Sequence, residues 1–180
     1  MRLTCIASIV ALSSLVGCSP EEPIDPPASQ GILATAAMLN AAGDQVGDAI
    51  LSNKEGTISI ELSVADLEAG ERAFHLHSIG ECNAPNFTSA GGHLNPFKRE
   101  HGSLNPQGQH LGDLPNLMID EDGTGSIIFE FESSIPELTE LIFDADGTAV
   151  MLHAGPDDYL SDPAGAAGPR VACGVLQSTN

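Results

Sequence analysis

The chain has 180 residues, of which 42% are hydrophobic, and a formal net charge of −19 at pH 7, because 25 Asp and Glu face only six Lys and Arg. Nucleic acid and anionic membrane surfaces repel so acidic a protein, so we expect neither as a partner. Solubility in an exposed compartment accounts for the charge without a specific basic partner.

The N-terminus has the layout of a secretory signal. Arg2 is followed by an apolar stretch over residues 3–16 that is too short to span a bilayer as a helix. The stretch ends at Gly17-Cys18, a small residue before a cysteine, which resembles the cleavage site of bacterial lipoproteins. We predict a lipoprotein signal peptide at 1–17 and a lipid on Cys18. An ordinary secretory signal that contains a cysteine is the alternative.

Residues 18–30 carry four prolines and three acidic residues and cannot bury apolar surface, which predicts an extended tether. We therefore expect the protein in the bacterial cell envelope, held on a membrane by its N-terminal lipid alone, with its domain facing the periplasm or the outside. The folded domain then covers residues 31–180, a length that suits a single core.

The hydrophobic pattern of this domain has a period of two. Apolar residues alternate with polar ones in two runs, which are Ile58, Ile60, Leu62 and Val64, and Phe129 and Phe131. Alternation of this kind predicts half-buried antiparallel strands, separated here by turn signals at 53–56, 122–123 and 146–147. No segment predicts a convincing amphipathic helix, although residues 63–70 fit a turn, a short helix or a strand end. The pattern indicates an all-β sandwich or flattened barrel with two long loops, at about 78–116 and 155–169.

Four cysteines occur in the chain, of which Cys5 lies in the predicted signal and Cys18 is assigned to the lipid. Cys82 and Cys173 remain, and two cysteines in an exported domain predict one disulfide. Two buried free thiols are the competing interpretation, which export disfavours.

All six histidines lie between His75 and His153. His75 and His77 occupy positions i and i+2 of a predicted strand, so both imidazoles point to one face and can bind one ion. Taken alone, this pair is weak evidence for a metal site. His153 ends a second apolar strand and could supply a further ligand from across the sheet.

The first long loop adds a second set of candidate ligands, His93, His101, His110 and Asp113. Three nitrogens and one oxygen fill the shell of a tetrahedral zinc ion. Four nitrogens, from His75, His77, His93 and His153, would suit copper(II) in a tetragonal arrangement. Six histidines complete both sites only if one imidazole is shared.

Seven motifs with these residues follow one another in chain order: Phe74-His75-Leu76-His77, Gly80-Glu81-Cys82, Ala90-Gly91-Gly92-His93-Leu94-Asn95-Pro96, His101-Gly102, His110-Leu111-Gly112-Asp113-Leu114, His153-Ala154-Gly155-Pro156-Asp157-Asp158-Tyr159 and Arg170-Val171-Ala172-Cys173-Gly174-Val175. Together they resemble the copper/zinc superoxide dismutase family in its bacterial, exported form. The match runs over about residues 33–177. It implies an immunoglobulin-like Greek-key β-sandwich or flattened barrel of eight strands, with one copper and one zinc ion per chain.

The resemblance implies a role for each candidate residue. His75, His77, His93 and His153 would bind copper, and His93, His101, His110 and Asp113 would bind zinc, with His93 as the bridging imidazolate. Asp157 would join the two sites through histidine ligands, Arg170 would hold the substrate anion, and Cys82 and Cys173 would form the disulfide.

By the same resemblance we expect a superoxide dismutase, which converts two superoxide anions and two protons to dioxygen and hydrogen peroxide as copper cycles between Cu(II) and Cu(I). Zinc cannot exchange the electron, so its expected role is structural and electrostatic. The alternative is a non-catalytic periplasmic copper-binding or copper-handling module on the same fold. Arg170 argues against that alternative, because storage needs no anion-binding arginine. Both a monomer and a homodimer remain open.

The second long loop departs from some relatives, which place lysines near the substrate channel. Residues 154–169 contain no Lys or Arg but include Asp157, Asp158 and Asp162. The net field therefore repels the expected substrate, and Lys98 and Arg99 are the nearby candidates for local steering. A solvated loop explains these two residues equally well.

Overall fold

The computed structural model describes residues 31–132 and 137–179. The predicted signal peptide, Cys18 and the tether up to residue 30 lie outside these ranges. Within them nearly all of the regular secondary structure is β-strand, and there is no helix long and apolar enough to cross a membrane.

Ten strands follow one another along the described part of the chain. They are β1 (Gly31–Asn40), β2 (Gln45–Lys54), β3 (Thr57–Val64), β4 (Gly70–Arg72), β5 (Phe74–His77), β6 (Leu117–Ile119), β7 (Gly125–Glu130), β8 (Ala149–His153), β9 (Arg170–Val175) and β10 (Gln177–Ser178). One short helix, α1, covers Leu138–Ile142, and a single-turn 3₁₀ helix covers Thr88–Ala90.

The strands form one curled antiparallel sheet and a small two-stranded one. The main order is β5-β8-β9-β1-β2-β3-β7, with β10 beside β1, and β4 pairs with β6. Only Ala73 separates β4 from β5, and only Leu176 separates β9 from β10. If each of these pairs is counted as one interrupted strand, the described residues form eight strands. The predicted all-β Greek-key architecture is thus confirmed.

The alternating pattern produces the core as expected. In β3 the side chains of Ile60, Leu62 and Val64 are buried, whereas Ser63 is exposed. A two-residue turn, Glu55-Gly56, joins β2 to β3 inside the predicted turn at 53–56. In half-buried strands of this kind, one face of the sheet packs against the core and the other faces solvent.

Two strands that carry histidines differ, because they are buried on both faces. Phe74 and Leu76 of β5 belong to the main core, and they alternate with His75 and His77, which are equally buried on the opposite face. Every residue of β8 is buried as well. The long loops cover this outer face, so it is sealed from water although it is polar.

The structure contains the predicted disulfide, which joins Cys82 of the first long loop to Cys173 of β9. The two Cα atoms lie 5.7 Å apart, and 91 positions separate the residues in the sequence. The bond sits against a small apolar cluster formed by Phe87, Ala90, Ala149, Met151 and Cys173. The loop is therefore attached to the sheet both covalently and by apolar packing.

The long loops have nearly the predicted bounds, 78–116 between β5 and β6 and 154–169 between β8 and β9. Residues 63–70 form the end of β3 and a bend rather than a helix. Helix α1 was not predicted. It buries Leu138 and Ile142, but five residues are too few to produce a recognisable helical period.

We expect removal of the disulfide to destabilise the fold strongly. In the chain-entropy model, a bond that closes about 90 residues contributes roughly 4 to 5 kcal/mol, with lower values often measured. The double variant Cys82→Ser, Cys173→Ser should therefore unfold at a clearly lower urea concentration than the wild type. A thiol reductant should lower the wild-type midpoint and leave that of the double variant unchanged. Equal midpoints for the oxidised wild type and the variant would contradict this assignment.

Candidate metal centre

Strand β5 presents His75 and His77 on one face, because side chains alternate along a strand. Its antiparallel partner is β8, where Met151 lies opposite His75. The backbone N–H of His153, at the end of β8, donates a hydrogen bond to the Ala73 carbonyl at 2.9 Å. The third imidazole is thereby delivered beside the first two.

The first long loop returns along the backbone of β5. The N–H of Leu76 donates to the Gly112 carbonyl at 2.9 Å, and the Leu76 carbonyl accepts from the N–H of Leu94 at 2.8 Å. The N–H of Gly112 donates in turn to the Leu94 carbonyl at 2.9 Å. A Cβ atom on Gly112 would collide with the carbonyl oxygen of Leu76, so only glycine permits this approach.

This register places two loop residues opposite the two strand histidines. His93 pairs with His77 and Asp113 pairs with His75, each in an antiparallel bridge. The rings of His75 and His93 are then only 4.1 Å apart between centroids. The three backbone hydrogen bonds among Leu76, Leu94 and Gly112 thus bring loop and strand ligands together.

The histidines form two groups that share one member. The four-histidine group contains His75, His77, His93 and His153, and the three-histidine group contains His93, His101, His110 and Asp113. In each group, one potential ligand atom per residue lies within 4.8 Å of all the others. All seven residues are buried.

The four-histidine group directs one free nitrogen from each ring toward its centre. Five buried ring nitrogens form no well-aligned hydrogen bond to the described residues: His75 Nδ1, His77 Nε2, His93 Nε2, His153 Nε2 and His101 Nδ1, the last of which nevertheless lies 3.0 Å from the Asp113 carboxylate. Four of these five atoms belong to this group. A buried polar atom left unpaired costs about 1 to 3 kcal/mol, so such a concentration indicates an absent partner.

His75, His77 and His153 lie on strands, and the second ring nitrogen of each donates a hydrogen bond to an acceptor. His77 Nδ1 donates to the Gly91 carbonyl at 2.9 Å, and His153 Nδ1 donates to the Gly168 carbonyl at 3.1 Å. His75 Nε2 donates to the Asp157 carboxylate at 2.8 Å. These bonds fix the tautomer and the direction of every ring, which is the usual support of a metal-binding histidine.

The three-histidine group converges on one carboxylate oxygen. Asp113 Oδ1 lies 2.7 Å from His93 Nδ1, 3.0 Å from His101 Nδ1 and 3.0 Å from His110 Nδ1. The second oxygen of Asp113 accepts the N–H groups of Gly102 and His110, both at 2.9 Å. The carboxylate is therefore fixed by the backbone while its other oxygen faces three imidazoles.

His93 uses both of its ring nitrogens, one in each group. Its Nδ1 faces Asp113 and the three-histidine group, and its Nε2 is the free atom that faces the four-histidine group. An imidazole can bind two ions only through opposite nitrogens. The geometry of His93 therefore satisfies the requirement for one shared imidazole that follows from counting the histidines.

Asp157 connects the two groups a second time. Its Oδ2 accepts a hydrogen bond from His75 Nε2 at 2.8 Å, and its Oδ1 accepts one from His101 Nε2 at 3.0 Å. The side chain is almost fully buried. Each oxygen of one carboxylate thus orients a histidine of a different group.

Arg170 lies beside the four-histidine group, at the position in β9 that pairs with His153. Its guanidinium donates to the carbonyls of Phe87 at 2.6 Å and Gly91 at 2.5 Å. The Gly91 carbonyl also accepts from His77, so one backbone oxygen orients both the arginine and a candidate ligand. Burial lowers the pKa of Arg170, yet the guanidinium remains charged at neutral pH.

Burial keeps three histidines of the four-histidine group unprotonated. It lowers the pKa of His77 to about 2 and those of His93 and His153 to about 4, with neighbouring positive charges adding to the effect. These rings are neutral at physiological pH, which is the form that binds a metal.

The carboxylates set the protonation of the other group. Burial opposes a charge on His101, but Asp113 and Asp157 outweigh it and raise the pKa of His101 to about 9. Burial would likewise raise the pKa values of Asp113 and Asp157, but the adjacent histidines hold both well below their ordinary range. A cation is therefore favoured within the three-histidine group, whether it is a proton or a metal ion.

The donor sets fit the two ions predicted from the sequence. Four imidazole nitrogens suit copper, and three nitrogens with one carboxylate oxygen suit tetrahedral zinc. Lys98 and Arg99, the two candidates for local steering of the substrate, have no side-chain contact with these donor sets among the contacts described. Lys98 and Arg99 are exposed, but the Arg99 carbonyl accepts from His110 Nε2 at 3.1 Å, which holds this part of the loop at the three-histidine group.

Some contributors to the centre were not found from the sequence. The carbonyls of Gly91, Gly168 and Arg99 each orient one histidine, and Asn116 holds the backbone of Asp157. A carbonyl acceptor carries no residue-type signal. Asn116 stands in an ordinary loop-end position, next to Pro115 and just before β6, so its residue type alone indicated only a turn.

Residues 46–176 match the family model described as copper/zinc superoxide dismutase. The chain belongs to the copper/zinc superoxide dismutase family. Superoxide dismutase [Cu-Zn] 1 of Aquifex aeolicus (strain VF5) is 41% identical over 152 residues, which cover 83% of this chain and 90% of that relative.

Solved structures of the family resemble the fold. A SOD-like protein from Bacillus subtilis has a TM-score of 0.75 at 34% identity and covers 82% of this chain and 100% of its own. The Cu/Zn superoxide dismutase from Brucella abortus has a TM-score of 0.64 at 30% identity and covers 79% and 98%, respectively. The family predicted from the sequence motifs is confirmed.

The metal-free protein should be most stable near pH 6.5. The folded-state pKa values of His77, His93 and His153 lie below the ordinary 6.5, so the unfolded chain binds more protons and stability falls as the pH drops from 6.5 to 4. The raised pKa of His101 stabilises the fold fully below pH 6.5, and this contribution is lost as the pH rises toward 9.

Thermal unfolding of the metal-free protein between pH 4 and 9 measures both slopes. Saturating zinc should flatten the alkaline slope, because the ion replaces the proton on His101. A melting temperature that does not change between pH 6.5 and 4 would show that the strand histidines are not buried as neutral rings.

Proposed function

We propose that the protein is a superoxide dismutase, which converts two superoxide anions and two protons to dioxygen and hydrogen peroxide. The observation that carries the proposal is His93, whose two nitrogens face two different groups of buried ligands. A single ion would leave one of these groups unfilled. Membership of the copper/zinc superoxide dismutase family supports the same activity and the same pair of metals.

The residues divide the work between the two groups. His75, His77, His93 and His153 would hold copper, while His93, His101, His110 and Asp113 would hold zinc. Copper held there would supply the one-electron chemistry that the dismutation of two superoxide anions requires. The zinc ligands come from the first long loop, so their role is to fix that loop and the orientation of His93.

Arg170 would bind the substrate. Its guanidinium is held by two carbonyls beside the four-histidine group, so it offers a fixed positive charge and directional donors to a small anion. Because the arginine is positioned before the substrate arrives, little ordering entropy is lost on binding. Neutral water gains much less from the same charge, and the anion is therefore preferred.

His93 would handle a proton at Nε2. This atom has no hydrogen-bond partner among the described residues and faces the four-histidine group. Superoxide that gains one electron becomes a strong base and must collect two protons to leave as hydrogen peroxide. Whenever Nε2 of His93 is not bound to copper, it could take one proton from solvent and pass it to the peroxide, while solvent supplies the second proton directly.

The second candidate function is a copper-binding or copper-handling module without turnover. It is favoured by one specific observation, the similarity to a protein from Bacillus subtilis that is called SOD-like rather than a superoxide dismutase. The complete set of seven candidate ligands and the anchored Arg170 favour the enzyme, because storage requires neither a shared histidine nor an anion-binding group.

We also propose that the enzyme acts in the bacterial cell envelope as a lipoprotein. The apolar stretch before Gly17-Cys18 and the proline-rich, acidic residues 18–30 support a lipid on Cys18 and a tether. The disulfide supports an oxidising compartment outside the cytoplasm. A monomer and a homodimer are both compatible with this arrangement.

The purified protein should bind one copper and one zinc per chain and remove superoxide rapidly. Metal content and dismutation are measured on the same preparation, before and after a chelator strips copper. Activity should disappear with copper and return when copper is restored. Full loading with both metals and no turnover would instead support the copper-binding module.

Replacing Arg170 with Ala should lower the dismutation rate by about 10- to 100-fold, because charge-assisted hydrogen bonds contribute roughly 1.5 to 3 kcal/mol. Copper and zinc content should not change. Arg72→Ala is the matched control, since Arg72 lies on β4 and pairs with Glu68 instead. An Arg170→Ala variant with wild-type turnover would remove this residue from the mechanism.

A further inference from the structure

We propose that Asn116 is a positioning residue of the metal centre, which acts by holding Asp157 so that both oxygens of its carboxylate stay aligned with His75 and His101. Asn116 is the residue before β6 and contributes no atom to either histidine group. The proposal rests on the metal ligation proposed above and extends it to a residue outside the ligand set.

The side chain of Asn116 grips the backbone of Asp157 from two sides. Its Oδ1 accepts the Asp157 N–H at 2.8 Å, and its Nδ2 donates to the Asp157 carbonyl at 3.0 Å. Because one partner can only donate and the other can only accept, these bonds fix the orientation of the amide. A second N–H of the amide reaches Glu71 of β4 at 3.3 Å. Asp157 is thus fastened to the sheet through Asn116.

Asn116 bonds both backbone polar groups of Asp157, whereas His75, His101 and Tyr159 contact its carboxylate. Asp157 lies in the second long loop, which has no strand pairing of its own between β8 and β9. Gly165 packs directly on the carboxylate, and a Cβ atom there would collide with Asp157 Oδ1. A rotation of the Asp157 backbone would therefore move the carboxylate relative to Gly165 and to both histidines.

Tyr159 closes the arrangement. Its N–H donates to Asp157 Oδ1 at 2.7 Å, its hydroxyl accepts from the backbone N–H of Asn116 at 2.9 Å, and its carbonyl accepts from Leu104 at 2.9 Å. Tyr159 holds a left-handed backbone with φ of 61°, which is rare for an aromatic residue. The strain is maintained by these three bonds, which join both long loops to the start of β6.

The consequence for the metal centre follows from the two histidines. When His75 Nε2 and His101 Nε2 donate to Asp157, their Nδ1 atoms are the free nitrogens that point into the four-histidine and three-histidine groups. Losing the grip of Asn116 should loosen both rings together. Mutation of the residues that orient metal ligands typically weakens metal affinity by 10- to 100-fold.

The test measures the zinc affinity of the purified wild type and of Asn116→Ala, with zinc supplied through a competing chelator. Asn116→Ala should bind zinc about 10- to 100-fold more weakly. The same proteins are loaded with cobalt(II) in place of zinc, and the visible bands of the cobalt ion should shift in the variant, because its ligand field reports ligand orientation. A residue that only stabilised the fold would not move these bands.

Asn116→Asp has nearly the same shape and keeps the acceptor for the Asp157 N–H, but it loses the donors to the Asp157 carbonyl and Glu71. It should also bind zinc more weakly, and it provides the result if Asn116→Ala does not fold. Asn53→Ala is the matched control, since the Asn53 side chain accepts the Gly56 N–H at the β2–β3 turn. It should lower thermal stability without changing zinc affinity or the cobalt bands.

The outcomes separate this inference from the proposed function. Wild-type zinc affinity and unchanged cobalt bands in both Asn116 variants would overturn the positioning role and leave the metal centre intact. The same holds if the variants lose thermal stability but not zinc affinity. A wild type that binds no zinc would overturn the proposed function together with the inference.

Discussion

The metal centre depends on the register between the first long loop and the backbone of Leu76. Two hydrogen bonds, from Leu94 and to Gly112, place the loop against β5 so that His93 and Asp113 meet the two strand histidines. A shift of one residue would turn the wrong side chains toward β5. The disulfide and the small apolar cluster around it hold the same loop from its other end. The ligands are therefore positioned by backbone and core interactions.

This arrangement gathers more buried polar groups than the protein alone can satisfy. All six histidines are buried together with Asp113 and Asp157, and five ring nitrogens form no well-aligned hydrogen bond to the described residues. The main core supplies the stability that tolerates this cost. Metal ions would remove the cost, because the free nitrogens are already oriented toward the two ligand groups. Metal binding and folding stability are consequently linked.

Much of this could be predicted from the sequence, because the signals were residue types at regular spacing. Alternation in Ile58 to Val64 predicted strands, and the histidine motifs predicted the family and the shared His93. The break at Ala73 and helix α1 were not predictable, since neither spans enough residues to produce a period. The contacts of Gly91 and Asn116 could not be predicted, because every residue has a backbone carbonyl and asparagine is common in loops. The hydrogen bonds that orient the ligands join residues far apart in the sequence, so they become visible only in the folded structure.

The distribution of charge reconciles an acidic protein with an anionic substrate. Asp157 accepts hydrogen bonds from His75 and His101, and Asp162 accepts the backbone N–H of His101 at 2.8 Å, so these acidic residues of the second loop organise the centre. Five Lys and Arg occur in residues 31–180, and three of them, Lys98, Arg99 and Arg170, lie in segments that contact the histidine groups. Charges beyond about 8 Å are largely screened at physiological salt. Arg170 is held beside the four-histidine group by two carbonyls, so its charge acts there at shorter range than most of the acidic surface does.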